Sequence, residues 1–302
     1  MNHKANKGKG RPKLPILEAE NLTYIYSPGT PFNHTAVKNI SFAVEEGEIT
    51  GVIGHTGSGK STLLQLLNGL LKPTDGKVLL RGKDIWENPK EIGSVRFKIG
   101  LVFQYPEYQL FEETVKDDIA YGPKNMKLSS EDIENRVKEA ADTVKLKSEL
   151  LSKSPFDLSG GEKRRVAIAG IMAMQPEIII FDEPTAGLDP IGRETVLNAI
   201  RDYRKQHNAT ILIVSHSMED MALICDRILV LNDGKAIMHD TVDNVFKNAS
   251  VLKEIGLNVP SITKVMLSIK EKGIDIPTDI YTVDKATQFL YSLINGGTKN
   301  VK

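Results

Sequence analysis

The chain has 302 residues, of which 40% are hydrophobic and 26% charged, a composition typical of a globular protein with a sizeable core. Its 39 basic residues balance its 39 acidic residues, so the composition gives no indication of bulk attraction to nucleic acid. Cys225 is the only cysteine, which excludes a disulfide within the chain. No stretch approaches the ~20 apolar residues of a membrane-spanning helix, so any membrane role is expected to depend on partner proteins.

The first fifteen residues form a basic segment with five Lys or Arg residues and no acidic residue. We predict a disordered, solvated tail over residues 1–15. Electrostatic docking to anionic lipid is the alternative, because each basic residue near such a surface contributes about 1 kcal/mol.

Short strands and one helix are predicted next along the chain. Alternating apolar residues, separated by glycine-containing turns, indicate strands at residues 16–19, 37–44, 49–53 and 78–80. A leucine stripe that follows a glycine-rich loop predicts a helix, and its members are Leu63, Leu64, Leu66, Leu67, Leu70 and Leu71.

Two wholly apolar runs, residues 178–181 and 211–214, are typical of central parallel strands covered on both faces. Helical patterns separate them, which predicts an α/β fold with crossover connections. Residues about 115–170 are charged and amphipathic, so we expect an inserted helical subdomain there. Residues 16–240 would then form the main domain.

Residues 241–302 are expected to form a small, mainly helical extension. Its helices are indicated by apolar positions at helical spacing, which are Ile262, Val265, Met266, Ile269, Phe289, Leu290 and Leu293. These stripes either pack on the protein's own domain or meet a partner.

The glycine-rich loop has the pattern of a P-loop, because it follows an apolar strand and opens a helix. Its backbone N–H groups and the helix N-terminus are expected to surround phosphates. Lys60 would reach the β- and γ-phosphates, and Ser61 would ligate Mg²⁺. The residues predicted to bind nucleotide here are Gly54, His55, Thr56, Gly57, Ser58, Gly59, Lys60, Ser61 and Thr62.

Two carboxylates, Asp182 and Glu183, end the apolar run at residues 178–181. Ligands bind at the carboxyl edge of a parallel sheet, so both side chains are expected near the phosphates. Asp182 suits the Mg²⁺ shell, and Glu183 suits a general base that polarises the attacking water. General-base catalysis typically contributes ~10²–10⁴-fold, so Glu183 distinguishes a hydrolase from a protein that only binds nucleotide.

These motifs resemble those of the ATP-binding-cassette ATPases over residues ~16–240. The resemblance also includes Gln104, Leu158-Ser-Gly-Gly-Glu162, Asp189 and His216. The resemblance implies a P-loop NTPase cassette with a RecA-like parallel core, an antiparallel β subdomain and the helical subdomain. It also implies ATP and Mg²⁺ as cofactors.

In that family two subunits meet head to tail. Each nucleotide lies between the P-loop of one subunit and the signature motif of the other, which corresponds to Leu158–Glu162 here. The resemblance therefore implies that Ser159, Gly160 and Gly161 bind the partner's nucleotide. Glu162 stands where many members have Gln, and we expect little loss from this change.

The remaining roles follow from position in the family pattern. Gln104 resembles the residue that senses Mg²⁺ and the attacking water, and it is predicted to ligate Mg²⁺ together with Ser61 and Asp182. Asp189 resembles the residue that crosses the dimer interface. His216 resembles the histidine that holds the γ-phosphate. Tyr26 resembles the aromatic residue that stacks on adenine, with Tyr24 as the alternative.

A narrower resemblance, at residues 26–31, 103–111, 114–119 and 121–124, is to the ATPases of energy-coupling-factor vitamin importers. The chain is closer to the second of two paralogous ATPases in that group. The implied partners are a paralogous ATPase (or a second copy), a transmembrane coupling subunit and a substrate-binding membrane subunit, with no nucleic acid. The implied location is peripheral, on the cytoplasmic face of the cell membrane. Residues after Gln104 would line a groove for a coupling helix, and Glu107 would pair with a basic residue of that helix.

Three alternatives stay open at this point. An ATPase of another importer, such as one for metal ions, is the nearest. A soluble cassette that acts on ribosomes or DNA is disfavoured, because the chain has one cassette and no sustained heptads. An inactive regulatory cassette is disfavoured by the presence of Lys60, Glu183 and His216.

Overall fold

The computed structural model describes residues 15–294. Residues 1–14 of the predicted basic tail and residues 295–302 of the predicted extension lie outside the described part. None of the helices within this range has the length and apolarity that crossing a bilayer requires. The strands are β1 (Leu17–Tyr26), β2 (His34–Val44), β3 (Ile49–Ile53), β4 (Asp75–Leu80), β5 (Lys83–Asp84), β6 (Ile99–Val102), β7 (Ile178–Asp182), β8 (Thr210–Val214), β9 (Arg227–Asn232) and β10 (Lys235–Thr241). The helices are α1 (Lys60–Leu67), α2 (Ile92–Lys98), α3 (Val115–Asn125), α4 (Ser130–Thr143), α5 (Gly160–Met172), α6 (Pro190–His207), α7 (Met218–Ile224), α8 (Val242–Lys247), α9 (Ala249–Glu254), α10 (Ser261–Glu271) and α11 (Val283–Ile294).

The centre of the molecule is a six-stranded sheet in the order β10-β9-β3-β8-β7-β6. The strands from β9 to β6 are parallel, and β10 runs antiparallel at the edge. The two predicted central strands are neighbours, with Ile178 opposite Thr210. Every residue of β3 and β8 is buried, which explains why their sequences are apolar without alternation. The predicted α/β P-loop fold with a parallel core is confirmed.

A second sheet is antiparallel and has the order β2-β1-β4-β5. β1 is longer than the four residues predicted, because it pairs along its length with strands on both sides. Leu17 lies opposite Val44 on one side and Leu80 on the other. This sheet forms the expected antiparallel β subdomain beside the core.

The helix after the P-loop is shorter than the leucine stripe predicted. α1 ends at Leu67, and Gly69 adopts a left-handed conformation with φ of +73°. The amides of Leu70 and Leu71 both donate to the carbonyl of Gln65, which closes the helix end. The prediction that Leu70 and Leu71 continue the helix is therefore wrong, although four leucines of the stripe are buried core residues.

Helices α3, α4 and α5 pack together where the inserted helical subdomain is predicted. Each begins with a side chain that accepts a backbone N–H: Thr114, Ser129 and Ser159. Their inward faces share the core with the six-stranded sheet, through residues such as Ile119 and Val166.

Residues 242–294 contain the helices predicted for the C-terminal extension. α8 and α9 pack on the main core through Val245, Phe246 and Leu252, whereas Met266 of α10 belongs to a small separate cluster. Tyr281 links the two parts, because its ring lies 5.6 Å from that of Phe246. The apolar stripes thus pack largely on the protein's own residues.

Candidate nucleotide-binding and hydrolysis site

Four parallel strands deliver the predicted site residues to one edge of the six-stranded sheet. The P-loop follows β3, Gln104 follows β6, Asp182 ends β7, and His216 follows β8. Because these strands are neighbours and run in one direction, their carboxyl ends meet at this edge. The topology alone therefore gathers residues that are more than 100 positions apart in the chain.

The P-loop curves around the ammonium group of Lys60. The Nζ atom donates to the carbonyl oxygens of Gly54 at 2.8 Å and His55 at 2.9 Å. Lys60 is buried, which lowers the pKa of its ammonium group, while Glu183 and Asp182 act in the opposite direction. This places a cation inside the loop, where it suits a phosphate ligand.

Two glycines of the loop have no room for a side chain. A Cβ atom on Gly59 would collide with the carbonyl oxygen of Ala36, and one on Gly54 would lie 2.6 Å from that of Leu231. Gly59 also has a φ of +96°, which other residues rarely adopt. The loop therefore packs tightly against β2 and β9, which supports its shape.

His55 adds a further support to the loop. Its Nε2 atom lies 2.9 Å from Oδ1 of Asn232, at the end of β9. Thr56, Gly57 and Ser58 complete the loop, and the Ser58 carbonyl accepts the amide of Gly234 in the β9–β10 turn.

Two of the three predicted Mg²⁺ ligands, Ser61 and Asp182, contact each other, whereas the third, Gln104, donates to Glu183. The Ser61 hydroxyl donates to Asp182 Oδ2 at 2.9 Å. Burial raises the pKa of the Asp182 carboxyl, against the opposing hydrogen bond from Ser61. Residues 15–294 contain no cluster of three or more His, Cys, Asp or Glu that could hold a metal alone. A hydroxyl and one carboxylate fit Mg²⁺, which is usually held by one or two protein ligands together with substrate phosphates.

The predicted general base, Glu183, lies between His216 and Gln104. Its Oε1 atom is 2.9 Å from Nε2 of His216, and its Oε2 atom accepts from Nε2 of Gln104 at 3.4 Å. The backbone of Glu183 has a φ of +52° and its N–H donates to the carbonyl of Val214. Tertiary contacts thus hold the residue in an uncommon conformation, as is often found at functional sites.

The structure distinguishes the two candidate adenine-stacking residues. Tyr26 is 38% exposed, and its hydroxyl lies 3.2 Å from that of Thr62 in α1, beside the P-loop. Tyr24 packs against the core under the antiparallel sheet, and its ring meets that of Tyr26 edge to face at 4.8 Å. Tyr24 therefore supports Tyr26, and the greater exposure of Tyr26 is consistent with its predicted role in stacking.

The signature residues lie at the start of α5 rather than in the cluster at the sheet edge. Ser159 and Glu162 form a capping box, in which the Ser159 hydroxyl donates to Glu162 Oε2 at 2.6 Å. Cβ atoms built on Gly160 and Gly161 would meet no described heavy atom within 4 Å. Asp189 is also a helix cap, because it accepts the amide of Gly192 at the start of α6.

Sequence analysis missed a buried carboxylate beside this site. Asp220 is 1% exposed and accepts from Arg193 Nε at 2.8 Å and from the Thr185 hydroxyl at 3.1 Å. Its amide donates to the hydroxyl of Ser217, next to His216. The sequence does show an acidic residue, Asp220, four positions after His216. Nothing in the sequence indicates that this residue pairs with Arg193.

Comparisons with known proteins agree with this geometry. A family model described as ABC transporter matches residues 37–186. The energy-coupling factor transporter ATP-binding protein EcfA2 of Caldanaerobacter subterraneus subsp. tengcongensis is 50% identical over 95% of this chain and 100% of its own length. The EcfA2 protein of Clostridium acetobutylicum is 49% identical over the same shares.

Solved structures give the same result. The cbiO1 protein of Clostridium perfringens, part of the ABC transporter complex cbiONQ, has a TM-score of 0.71 and 39% identity, covering 83% of this chain and 98% of that one. A dimer of the cassette MJ0796 bound to ADP and Pi has a TM-score of 0.67 and 30% identity, covering 75% and 98%. The chain belongs to the ABC transporter family of ATP-binding cassettes, and the resemblance predicted from its motifs is confirmed. It is thus an ATPase of this family.

Proposed function

We propose that this chain is the ATP-binding and ATP-hydrolysing subunit of an energy-coupling-factor type importer, which drives uptake of vitamins or other micronutrients through membrane partners. The observation that carries the proposal is the convergence of Glu183, His216 and Gln104 beside the Ser61–Asp182 pair. Full-length relatives with about half of their residues identical give the transporter class.

The chain's own residues supply positioning and proton handling for hydrolysis. Lys60 and the loop amides would bind the β- and γ-phosphates, while Ser61 and Asp182 would hold Mg²⁺. That ion would supply positive charge to the phosphate oxygens. Glu183 orients and polarises the attacking water, and Gln104 and His216 hold its carboxylate in place.

A head-to-tail dimer completes each site. The MJ0796 cassette is a dimer in its solved structure with ADP and Pi. In our proposal, Ser159, Gly160 and Gly161 bind the γ-phosphate of the nucleotide on the partner, and Asp189 crosses the interface. The open space at both glycines and the partial positive charge of the α5 N-terminus suit an incoming phosphate. We propose a paralogous ATPase as the partner, with a second copy of this chain as the alternative.

A largely apolar groove suits a helix from a membrane subunit. The groove has a volume of about 370 Å³ and lies between the segment after β6 and the helices α3 and α5. Its apolar lining includes Phe97, Leu110, Phe111, Tyr121 and Met174. We assign this groove to an amphipathic helix of the transmembrane coupling subunit, which would hold the chain at the cytoplasmic face of the membrane.

Glu107 is not free for the role expected of it. Its carboxylate is bound by Arg164 of α5, at 2.7 Å from Nη2. We predicted that Glu107 pairs with a basic residue of the coupling helix. Such a residue would have to share the Glu107 carboxylate with Arg164.

Affinity purification from detergent-solubilised membranes tests this function. We expect the wild-type chain to retain integral membrane subunits, including one that binds a vitamin or similar solute. Phe111→Asp in the groove should abolish this retention. The control is Phe32→Asp, the same substitution at a phenylalanine that is 84% exposed and lies outside the groove, and it should retain the membrane subunits. Recovery of the wild type without membrane proteins, or bound to ribosomes or DNA, would contradict the proposal. Co-purification of a metal importer would favour the alternative transporter class.

A further inference from the structure

Arg164 is a buried arginine that sequence analysis did not select. It lies in the second turn of α5, five residues after Ser159, and is only 3% exposed. Its guanidinium holds Glu107 with two bonds, from Nη2 to Oε1 at 2.7 Å and from Nε to Oε2 at 3.0 Å. A bidentate pair of this kind fixes the direction as well as the distance between its partners.

The same guanidinium also binds the loop that follows the predicted general base. Nη1 of Arg164 donates to the carbonyl oxygen of Ala186, and to that of Pro184 at 3.4 Å. Pro184 comes directly after Glu183, and the loop continues to Asp189 at the cap of α6. The ring of Tyr105 lies 5.7 Å from the guanidinium carbon and covers it. One side chain therefore contacts two separate segments of the site, the one that contains Tyr105 and Glu107 and the loop after Glu183.

We infer that Arg164 is a positioning residue that couples the segment 105–109, at the rim of the groove, to the loop 184–189. When Glu107 moves, the guanidinium moves with it, and the carbonyls of the loop follow. The inference rests on the proposed function in one respect: the helix that would displace the segment 105–109 is the proposed coupling helix in the groove.

The physical basis is that each end of this link includes or adjoins a residue in an uncommon backbone conformation. Tyr105, the first residue of its segment, has a φ of +54°, and Glu183, directly before the loop, has a φ of +52°, so both lie in the uncommon left-handed region. Tertiary contacts must hold them, and Arg164 provides contacts to both. A buried ion pair resists separation, because either charge alone would be left uncompensated.

Lysine could not replace arginine in this role. The planar guanidinium presents donors in fixed directions, so it can bind a carboxylate on one side and two carbonyls on the other. An ammonium group is a single point charge and cannot span both. Arg164→Lys therefore keeps the charge but removes the link.

Hydrogen exchange and ATPase kinetics on the full-length chain test the link. We would compare Glu107→Gln and Arg164→Lys with the control Glu113→Gln, an identical change at an exposed residue of the same connection. We expect faster exchange at the amides of residues 185–189 in both variants, and kcat lowered roughly 2- to 30-fold with KM for ATP unchanged, the range of one coupling contact. The control should match the wild type.

Coupling between two sites is reciprocal, so ATP binding must also affect the segment around Glu107. In a Glu183→Gln background, which prevents turnover, ATP with Mg²⁺ should change exchange at residues 105–110. Adding Arg164→Lys should remove that change.

Two results would overturn the inference. One is unchanged exchange at 185–189 together with unchanged kcat in both variants. The other is a uniform rise in exchange that includes β7 and β8, which would indicate general destabilisation. Since these measurements need no membrane subunit, failure of the proposed transport role would leave them interpretable.

Discussion

The carboxyl edge of the six-stranded sheet and the N-terminus of α5 both hold residues predicted to contact nucleotide, but they differ in what those residues touch. At the sheet edge, Glu183 contacts His216 and Gln104, and Ser61 contacts Asp182. At α5, Ser159 bonds within its own helix, and Gly160 faces open space among the described residues. We propose that the first region is a preorganised hydrolysis centre and that the second is a surface shaped to receive a phosphate.

This difference separates two kinds of defect. A change at the sheet edge should impair chemistry on the chain's own nucleotide. A change at α5 should instead impair the use of a nucleotide held elsewhere, while the chain's own binding stays intact.

The largest expected effect is that of Glu183→Gln. Removing the base should lower kcat by ~10²–10⁴-fold, the usual contribution of general-base catalysis, while ATP binding is retained. Closed dimers should then accumulate with ATP, which size-exclusion chromatography or scattering would detect. Glu113→Gln serves as the matched control. Turnover at the wild-type rate would show that another residue is the base.

Ser159→Ala tests the second region and should have the next largest effect. A hydrogen bond to a charged group is worth about 1.5–3 kcal/mol, so we expect kcat to fall roughly 10- to 100-fold with unchanged ATP binding by the same chain. The loss of a helix cap accounts for only ~1 kcal/mol of unfolding free energy. Ser129→Ala, which removes the equivalent cap of α4, should show the cap effect alone. Equal ATPase activity in the two variants would contradict a nucleotide role for Ser159.

Asp220→Asn should have a smaller effect that bears on both stability and rate. Asn cannot compensate the charge of Arg193, so we expect unfolding free energy to fall by about 1–3 kcal/mol. Arg193 also donates to the Ser217 hydroxyl at 2.6 Å, so a weaker hold on Arg193 should loosen Ser217 and lower kcat through the neighbouring His216. Denaturant unfolding and steady-state kinetics would measure both. Asp202→Asn on the exposed side of α6 should change neither.

Sequence reasoning worked well wherever function depends on order along the chain. The strand runs, the P-loop and the carboxylates after β7 are local patterns, and parallel topology then brings Asp182 and His216 to one edge. The preference for Tyr26 over Tyr24, made from position alone, stays a prediction.

Sequence reasoning failed where a contact joins distant segments through a side chain. Arg164 and Glu107 are 57 residues apart and belong to different elements, so no periodicity relates them. The predicted end of α1 was also too late, because the prediction followed the leucine periodicity past Gly69. The left-handed conformation of Gly69 lies just beyond the observed end of the helix. Charge partners and helix ends depend on tertiary packing and on single backbone conformations, neither of which a hydrophobic pattern encodes.

The smallest expected effect is that of Glu162→Gln, which tests whether the charge of Glu162 affects phosphate binding at the signature motif. Hydrogen bonds from the Ser159 hydroxyl and amide lower the pKa of Glu162, so a carboxylate at the start of α5 stays ionised at neutral pH. Its contribution to stability is present above the pKa of the unfolded chain and is lost as pH falls through the lowered pKa of the folded chain. Gln preserves the capping box, so unfolding free energy at neutral pH should change by less than ~0.5 kcal/mol.

What Glu162→Gln should change is repulsion between this carboxylate and the partner's nucleotide. We expect KM for ATP in the dimer to fall by no more than about 3-fold at low salt, and the difference to shrink at high salt because exposed charges are screened. Glu131→Gln in the first turn of α4 is the matched control, since it removes an acid from a helix start without facing a nucleotide. If KM instead rises in Glu162→Gln, the carboxylate takes part in binding, and the signature surface is more specialised than its glycines alone indicate.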